Sequence, residues 1–362
     1  MISEMRKILM AGMLLAGIEA FAQDDSTSAP LTISGYLEAY YTYDLGRPSN
    51  HNRPSFIYSH NRHNEVNLNL GLIKAAYQRN NVRANLALAA GTYMNANYAA
   101  EPGVLKNVYE ANAGIKISKR KEIWIDAGVL SSHLGFESAV GKDNLTLTRS
   151  LFADNSPYFE TGAKLSYTTD NGKWLISGLV LNGWQRIQRV DGNNTPAFGH
   201  QLTYKPNGRV TINSGSFIGN DKPDSVKQMR YFHNLYGIFQ VTGQLGITAG
   251  LDIGAEQKSK GSKSYNAWYT PVMIIRLSPS TRHSIAARGE YYQDKNGVLI
   301  STSTVNGFNA WGYSLNYDFL VLPNAMWRLE ARGFSSKDRI FVKRDDQVSS
   351  NYFITTSIAL AF

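Results

Sequence analysis

The stretch LTISGYLEAYYTYD, residues Leu31–Asp44, decides the fold. Leu31, Ile33, Gly35, Leu37, Ala39, Tyr41 and Tyr43 lie on one side of an extended chain, and Thr32, Ser34, Tyr36, Glu38, Tyr40, Thr42 and Asp44 on the other. A two-residue period sustained over this length belongs to a strand with one side against an apolar phase and the other against water. Tyrosine sits on both sides, which suits a pleated surface that changes phase along its length.

The pattern repeats outward from there. Val66, Leu68, Leu70 and Leu72 alternate with Glu65, Asn67, Asn69 and Gly71, and similar segments lie near 109–117, 123–129, 159–167, 245–253, 311–319, 327–331 and 352–362. Residues 174–182 and 265–277 are apolar on both sides, so bulges or shifted boundaries are expected there. Short connections carry tight-turn chemistry: Asn80-Asn81, Asp170-Asn171-Gly172, Pro206-Asn207-Gly208, Thr242-Gly243 and Leu322-Pro323-Asn324. They alternate with longer polar stretches at 45–63, 95–104, 131–156, 184–197, 220–228, 257–264, 293–306 and 336–349. The count is sixteen strands, eight long loops and seven short turns. A sheet in a bilayer must satisfy every backbone N–H and C=O internally, so it must close. The expected fold class is all-β: a transmembrane antiparallel β-barrel of 16 strands, with short periplasmic turns and long extracellular loops. Such a cylinder is roughly 30 Å across, leaving an aqueous lumen that wall side chains cannot fill. Tyr77, Tyr167, Trp174, Tyr204, Phe239, Phe319, Trp327 and Phe362 fall beside short turns, as a headgroup-level aromatic girdle would.

Composition agrees. Of 362 residues, 43% are hydrophobic, 18% charged and 12% aromatic, too aromatic and too little charged for a disordered chain. Past the N-terminus no apolar run reaches the ~20 residues of a spanning helix. Residues 1–22 read as a secretory signal: Arg6 and Lys7, an apolar run, then Ala20-Phe21-Ala22 as the cleavage pattern. The expected organisation is signal peptide 1–22, cleaved after Ala22, a short segment 23–30, and a barrel from 31 to 362. The chain has no cysteine, which excludes disulfide stabilisation and thiol chemistry. Its net charge of +9 survives removal of the signal, which takes two basic and two acidic residues with it. In an exported chain that charge suits anionic lipid or anionic solutes, and nucleic acid is not an expected partner.

The chain end sharpens the reading. Tyr352, Ile354, Thr356, Ile358, Leu360 and Phe362 alternate outward and the sequence stops on the aromatic, similar to the terminal strand signal that the barrel assembly machinery recognises in Gram-negative porins. Tyr352, Ile358, Leu360 and Phe362 carry that assembly signal by resemblance. The opening Ile33-Ser34-Gly35-Tyr36-Leu37-Glu38-Ala39-Tyr40-Tyr41 resembles the first strand of the OmpL-like β-barrel porin family, and Leu147-Thr148-Arg149-Ser150-Leu151-Phe152 with Pro157-Tyr158-Phe159-Glu160-Thr161-Gly162 resembles that family's middle region. The resemblance covers the mature chain and implies an outer-membrane channel of a Gram-negative bacterium, surrounded by lipid and lipopolysaccharide. Trimers are common among sixteen-stranded porins, so a homo-oligomer is an open expectation.

Alternation assigns Glu38, Arg83, Glu110, Lys116, Asp126, Glu160 and Lys164 to the lumen in the first six strands, and Arg276, Arg288, Glu290, Arg328, Glu330 and Arg332 in later ones. The expectation is one arginine-rich wall facing a mixed one, with a weak lean toward anions; the alternative is cross-strand pairing with little net field. The third long loop, 131–156, is the longest. By resemblance to general porins it folds inward, bringing Glu137, Lys142, Asp143, Arg149 and Asp154 to a constriction. His60 and His63, with His51 nearby, have no fixed-spacing fourth ligand, so no metal or other cofactor is expected. No Gly-x-Ser-x-Gly or His-Glu-x-x-His motif occurs, and no catalytic residue is expected. The sequence thus points to passive diffusion of small hydrophilic solutes rather than an enzyme. The alternative is a barrel enzyme or adhesin acting through its long extracellular loops.

Overall fold

The structure, a computed structural model, describes residues 29–344 and 346–362. The expected signal and its cleavage site at Ala22 lie outside the described residues. Sixteen strands close into one antiparallel barrel: β1 (Leu31–Asp44), β2 (Val66–Arg79), β3 (Val82–Ala90), β4 (Val108–Lys116), β5 (Glu122–Ser131), β6 (Phe159–Thr168), β7 (Trp174–Leu181), β8 (Ala197–Asn207), β9 (Val210–Asn220), β10 (Met229–Gln240), β11 (Leu245–Gln257), β12 (Tyr265–Leu277), β13 (His283–Asp294), β14 (Phe308–Leu322), β15 (Ala325–Ser336) and, after a small hairpin β16 (Phe341–Lys343) and β17 (Asp346–Val348), β18 (Ser350–Ala361). Each strand pairs with its sequence neighbours, and β1 closes on β18 from Tyr36 opposite Ala361 to Asp44 opposite Phe353. The last residue joins this seam: Gly35 N–H donates to Phe362 O at 2.7 Å, and the Phe362 ring lies where a side chain at Gly35 would stand.

Leu, Ile, Val and aromatic side chains cover the outside, and the turn-side aromatics lie outward, with Trp174 stacked on Tyr204 at 4.2 Å. Two expectations about alternation are corrected. Val66, Leu68, Leu70 and Leu72 do not share a face: the β1–β2 register slips between Glu38 and Ala39, and one extra residue enters β2. Asn69 and Leu70 both end up buried, Asn69 Nδ2 donating to the Glu38 carboxylate at 2.8 Å, and Leu72 turns inward with them. The segments that are apolar on both sides are regular strands, not bulged ones. Ile176 and Val180 of β7 and Met273 and Ile275 of β12 face out; Leu179, Leu181, Trp268, Val272 and Ile274 face in and are buried.

What buries them corrects the expectation of a wide lumen. Wall side chains cannot fill a cylinder of this width, but loops can, and several do. From loop 45–65, Phe56 packs edge-on to Phe308 and Phe334 at 4.7 and 5.9 Å. From loop 182–196, Trp184 packs edge-on to Phe217 and Phe232. Loop 132–158 adds Leu134 and Leu151 to this core and seats Phe152 against Val272, Ile274 and Ala286. The extracellular half of the barrel therefore has an apolar interior made by inward-facing Phe217, Phe232, Trp268, Phe308, Phe334 and Phe353. Such a layer stays dry because burying each large side chain is worth about 1.5–3 kcal/mol.

Candidate functional site

The site is the barrel interior where loop 132–158 meets the wall. The loop leaves β5 just after Gly128, whose φ of 127° is open to glycine and strained for other residues; a Cβ there would stand 2.2 Å from Ala111 O. The loop carries a 3-10 turn at Gly141–Asp143 and a short α-helix, α1 (Leu151–Asp154), with Ser150 as its cap accepting from Ala153 N–H. Arg149 folds the loop on itself, its guanidinium donating to the carbonyls of Ser138, Leu147 and Ala139 at 2.8–2.9 Å. Glu137 accepts from the Ser150 N–H and hydroxyl. Arg149 is buried and Glu137 half-buried.

The wall holds the loop through its backbone. Arg328 donates to Gly141 O and Asn144 O, Arg288 to Thr148 O, and Arg332 to Arg149 O, all at 2.6–3.0 Å. Acceptors do the converse: Glu290 takes the Leu151 N–H at 2.6 Å, Glu330 the Thr148 N–H, and Asn316 the Leu147 N–H at 2.9 Å. The same arginines pair with wall carboxylates: Arg288 with Glu330 at 2.8 Å, Arg332 with Glu290 at 2.5 Å, and Arg328 with Asp318 at 2.6 Å. Arg288, Glu290, Arg328, Glu330 and Arg332 thus lie on the inward face of the wall. They are nevertheless sealed under the loop, where they neutralise one another instead of forming an exposed arginine wall. Glu38 and Glu160 share this fate, Glu38 against Asn69 and His60, Glu160 against His133 Nδ1 at 2.6 Å.

The remaining lumenal candidates behave differently. Lys74 pairs with Glu110 at 2.6 Å, Arg83 with Asp126 at 2.6 Å, and Arg276 with Asp318 at 3.5 Å. In each pair the base reaches water further than the acid: side-chain exposures are 32% against 9%, 30% against 4% and 23% against 3%. Lys116 pairs with Glu122 near the turn rim, and Lys164 makes no ion pair among the described residues. Arg83 is also braced over the Trp124 ring at 4.2 Å. Lys142 and Asp143 pair with each other at 2.8 Å and stay exposed at the loop's inner edge. A cavity of about 520 Å³ lies there, lined by Tyr36, Lys74, Tyr109, Glu110, Val140 and Lys142. A second, of about 700 Å³, opens at the extracellular rim beside Asp44, Arg53, Phe56, Arg339 and Arg344.

Titration is perturbed where the loop is deepest. The Asp154 carboxyl is pushed up to about 7, chiefly by burial, against the opposing pull of Arg332 and Arg149. Burial likewise raises Glu137, in spite of Arg288. His60 is lowered by burial although Glu38 lies 3.4 Å away. His60 and His63 diverge: His63 Nδ1 accepts from Asp44 N–H, and its ring lies beside that of His51. No group of three His, Asp or Glu among the described residues is disposed to hold a metal. Sequence reasoning missed Asn316 and Asn234, which accept the loop's Leu147 and Gly135 N–H, missed Asp318, which braces Arg328, and missed Arg53, a loop residue stacked on Phe353 at 3.5 Å. Pairing rules give no signal for any of these.

A closed sixteen-stranded barrel with a long loop clamped inside defines an outer-membrane porin, a passive channel. Residues 30–362 match the family model described as putative beta-barrel porin-2, OmpL-like, and the chain belongs to that family of Gram-negative outer-membrane proteins. Among solved structures it is similar to the anion-selective porin from Comamonas acidovorans (TM-score 0.60, 10% identity, 92% of this chain and 99% of that one). It is also similar to OprB of Pseudomonas putida (TM-score 0.61, 9% identity, 92% and 94%) and to a trimer form of OmpT from Vibrio cholerae (TM-score 0.57, 10% identity, 92% and 99%). At such identities the likeness is one of fold. No curated protein sequence matches the chain.

Proposed function

We propose that this porin passes small hydrophilic solutes along the side of the barrel built from β2–β6, with loop 132–158 as its constriction and with a lean toward anions. One observation carries the reading: in the inward pairs Lys74–Glu110, Arg83–Asp126 and Arg276–Asp318 the basic partner reaches water further than the acid, while Arg288, Arg328 and Arg332 are spent on the loop. A field of protruding Lys74, Arg83, Lys164 and Arg276, with Lys142 on the loop, favours anions at close quarters. The similar fold of an anion-selective porin is consistent with it. The protein works without catalysis, is exported by a signal cleaved after Ala22, is inserted by the barrel assembly machinery reading Tyr352, Ile358, Leu360 and Phe362, and sits among lipid and lipopolysaccharide as a homo-oligomer, the state in which one similar barrel is found.

The test is reversal potential in a planar bilayer under a salt gradient. The reading expects anion preference that shrinks or inverts when Lys74 and Lys164 are both replaced by Gln. Cation preference in the wild type, or no response to the double substitution, would overturn the lean. Absence of any conductance would overturn the channel route itself.

A further inference from the structure

The cavity at the extracellular rim is built apart from loop 132–158. Loop 45–65 supplies one side of it, loop 295–307 a second, and the β16–β17 hairpin a third. The hairpin is tied to the first loop where Arg344 N–H donates to Gly46 O at 2.6 Å. A side chain at Gly46 would stand 2.6 Å from Val342 O, so only glycine lets the two segments meet this closely. At about 700 Å³ the cavity falls within the roughly 300–1,000 Å³ of small-molecule sites.

Three of its lining residues, Asp44, Arg53 and Asn351, are buried and incompletely paired. The Arg53 side chain has no exposed surface; its guanidinium lies over the Phe353 ring at 3.5 Å and its Nη1 donates to His60 O at 3.1 Å. Arg53 Nε and Nη2 have no hydrogen-bond partner among the described residues, and neither do Asp44 Oδ2 and Asn351 Oδ1. Arg53 Nε and Asp44 Oδ2 face each other at 3.8 Å, close enough to attract and too far to hydrogen-bond. The other Asp44 oxygen is engaged: it accepts from Gly46 N–H at 2.7 Å and from Asn351 Nδ2 at 2.8 Å, which fixes the carboxylate. Buried polar atoms are ordinarily paired, so two donors and two acceptors left over beside one cavity mark a place that a guest can complete.

A simple anion does not suit these atoms, because the Asp44 and Asn351 oxygens repel it. A hydroxyl does, since it accepts from Arg53 while donating to Asp44 or Asn351. Apolar Ile300 and Ile340 share the lining with the hydroxyls of Ser301 and Thr302, which suits a sugar ring with its carbon and oxygen faces. Exposed Arg339 and Arg344 complete it, so among the described residues of the lining three bases face one acid. We infer that this cavity binds an acidic sugar, its ring hydroxyls on Arg53, Asp44 and Asn351 and its carboxylate or phosphate on Arg339 and Arg344. The inference gives the proposed anion-leaning channel a solute class, held at the mouth before it reaches loop 132–158; binding itself does not depend on conduction.

Isothermal titration of the refolded protein in detergent with glucuronate, glucose and acetate tests this. Glucuronate is expected to bind, glucose about tenfold more weakly for want of the arginine contacts, and acetate not measurably. Replacing both exposed arginines, Arg339→Ser with Arg344→Ser, should bring glucuronate down to the level of glucose. Ser301→Trp, also at an exposed position, should fill the cavity and abolish binding of both sugars. Arg53→Gln should weaken both sugars about tenfold, and the two exposed variants decide the matter if it does not refold. No heat with glucuronate, equal binding of acetate, or indifference to both exposed variants would overturn the site. Displacement of glucuronate by purified lipopolysaccharide would overturn the free solute, assigning the cavity to leaflet sugars. A protein that binds glucuronate but never conducts loses the channel and keeps the site; one that conducts without binding keeps the channel and loses the site.

Discussion

Arg328 illustrates how the interior is built. It lies buried between the Asp318 carboxylate and two loop carbonyls, which take four of its five N–H donors. Replacing it by Ala would leave Asp318 a buried charge with its main partner gone, a loss of about 3–5 kcal/mol in comparable cases. That exceeds what a few backbone bonds to the loop contribute. Arg328→Ala should therefore release residues 140–145, read as faster proteolytic cleavage in the loop and noisier single-channel traces; unchanged cleavage would show that the loop does not depend on this clamp. Asp154 makes the complementary prediction. Its carboxyl is held at about 7 in the folded chain against 3.8 for the ordinary group, so the native state binds the proton more tightly. Its support for the seated loop is complete below about pH 4 and is lost as pH rises through about 7. The charges facing it are Arg332, Arg149, Arg288 and Arg53 and the acid Glu137, with Tyr58 and Tyr158 beside them. Conductance should rise or become less steady between about pH 4 and about pH 8, and Asp154→Asn should flatten that response. A wild-type profile that is level over the range would remove Asp154 from the control of the loop.

The loop is the element on which function turns, and it is also where the sequence was least legible. Alternation read Arg288, Arg328 and Arg332 as inward because period two follows from strand geometry alone. It could not say what lies inward. That required knowing that Phe152 packs with Val272 and Ile274, and nothing in strand periodicity encodes a partner more than a hundred residues away. The apolar double faces of β7 and β12 were the visible trace: a strand that is oily on both sides has lipid on one and protein on the other. The slip at Asn69 was hidden for a different reason, since an inserted residue preserves composition while inverting the pattern beyond it. Deleting residues 138–146 removes the carbonyls of Ser138, Ala139, Gly141 and Asn144 that Arg149 and Arg328 hold. Single-channel conductance should then increase severalfold while the barrel still closes, because β5 and β6 pair along their length without the loop. Conductance equal to wild type would place the narrowest point elsewhere.

At the scale of the molecule, the barrel is an asymmetric object. The inner face of β13 and β15 carries the arginine clamps, and the inner face of β2, β3 and β6 carries Lys74, Arg83 and Lys164, of which Lys74 and Arg83 reach water beyond their acidic partners. A closed sheet fixes this division, since every strand keeps its two neighbours and a face cannot turn over without breaking two ladders. The cylinder itself and its polarity followed from the sequence because bilayer chemistry leaves a sheet no alternative to closure. The packed extracellular half did not, because it is made by loops. The account rests on solutes crossing a barrel that its own loop narrows, and single-channel recording of refolded protein in a planar bilayer tests this most directly. It predicts small, anion-leaning openings in the wild type and larger ones once residues 138–146 are removed. A wild type that never conducts, or one already as conductive as the deletion, would contradict it.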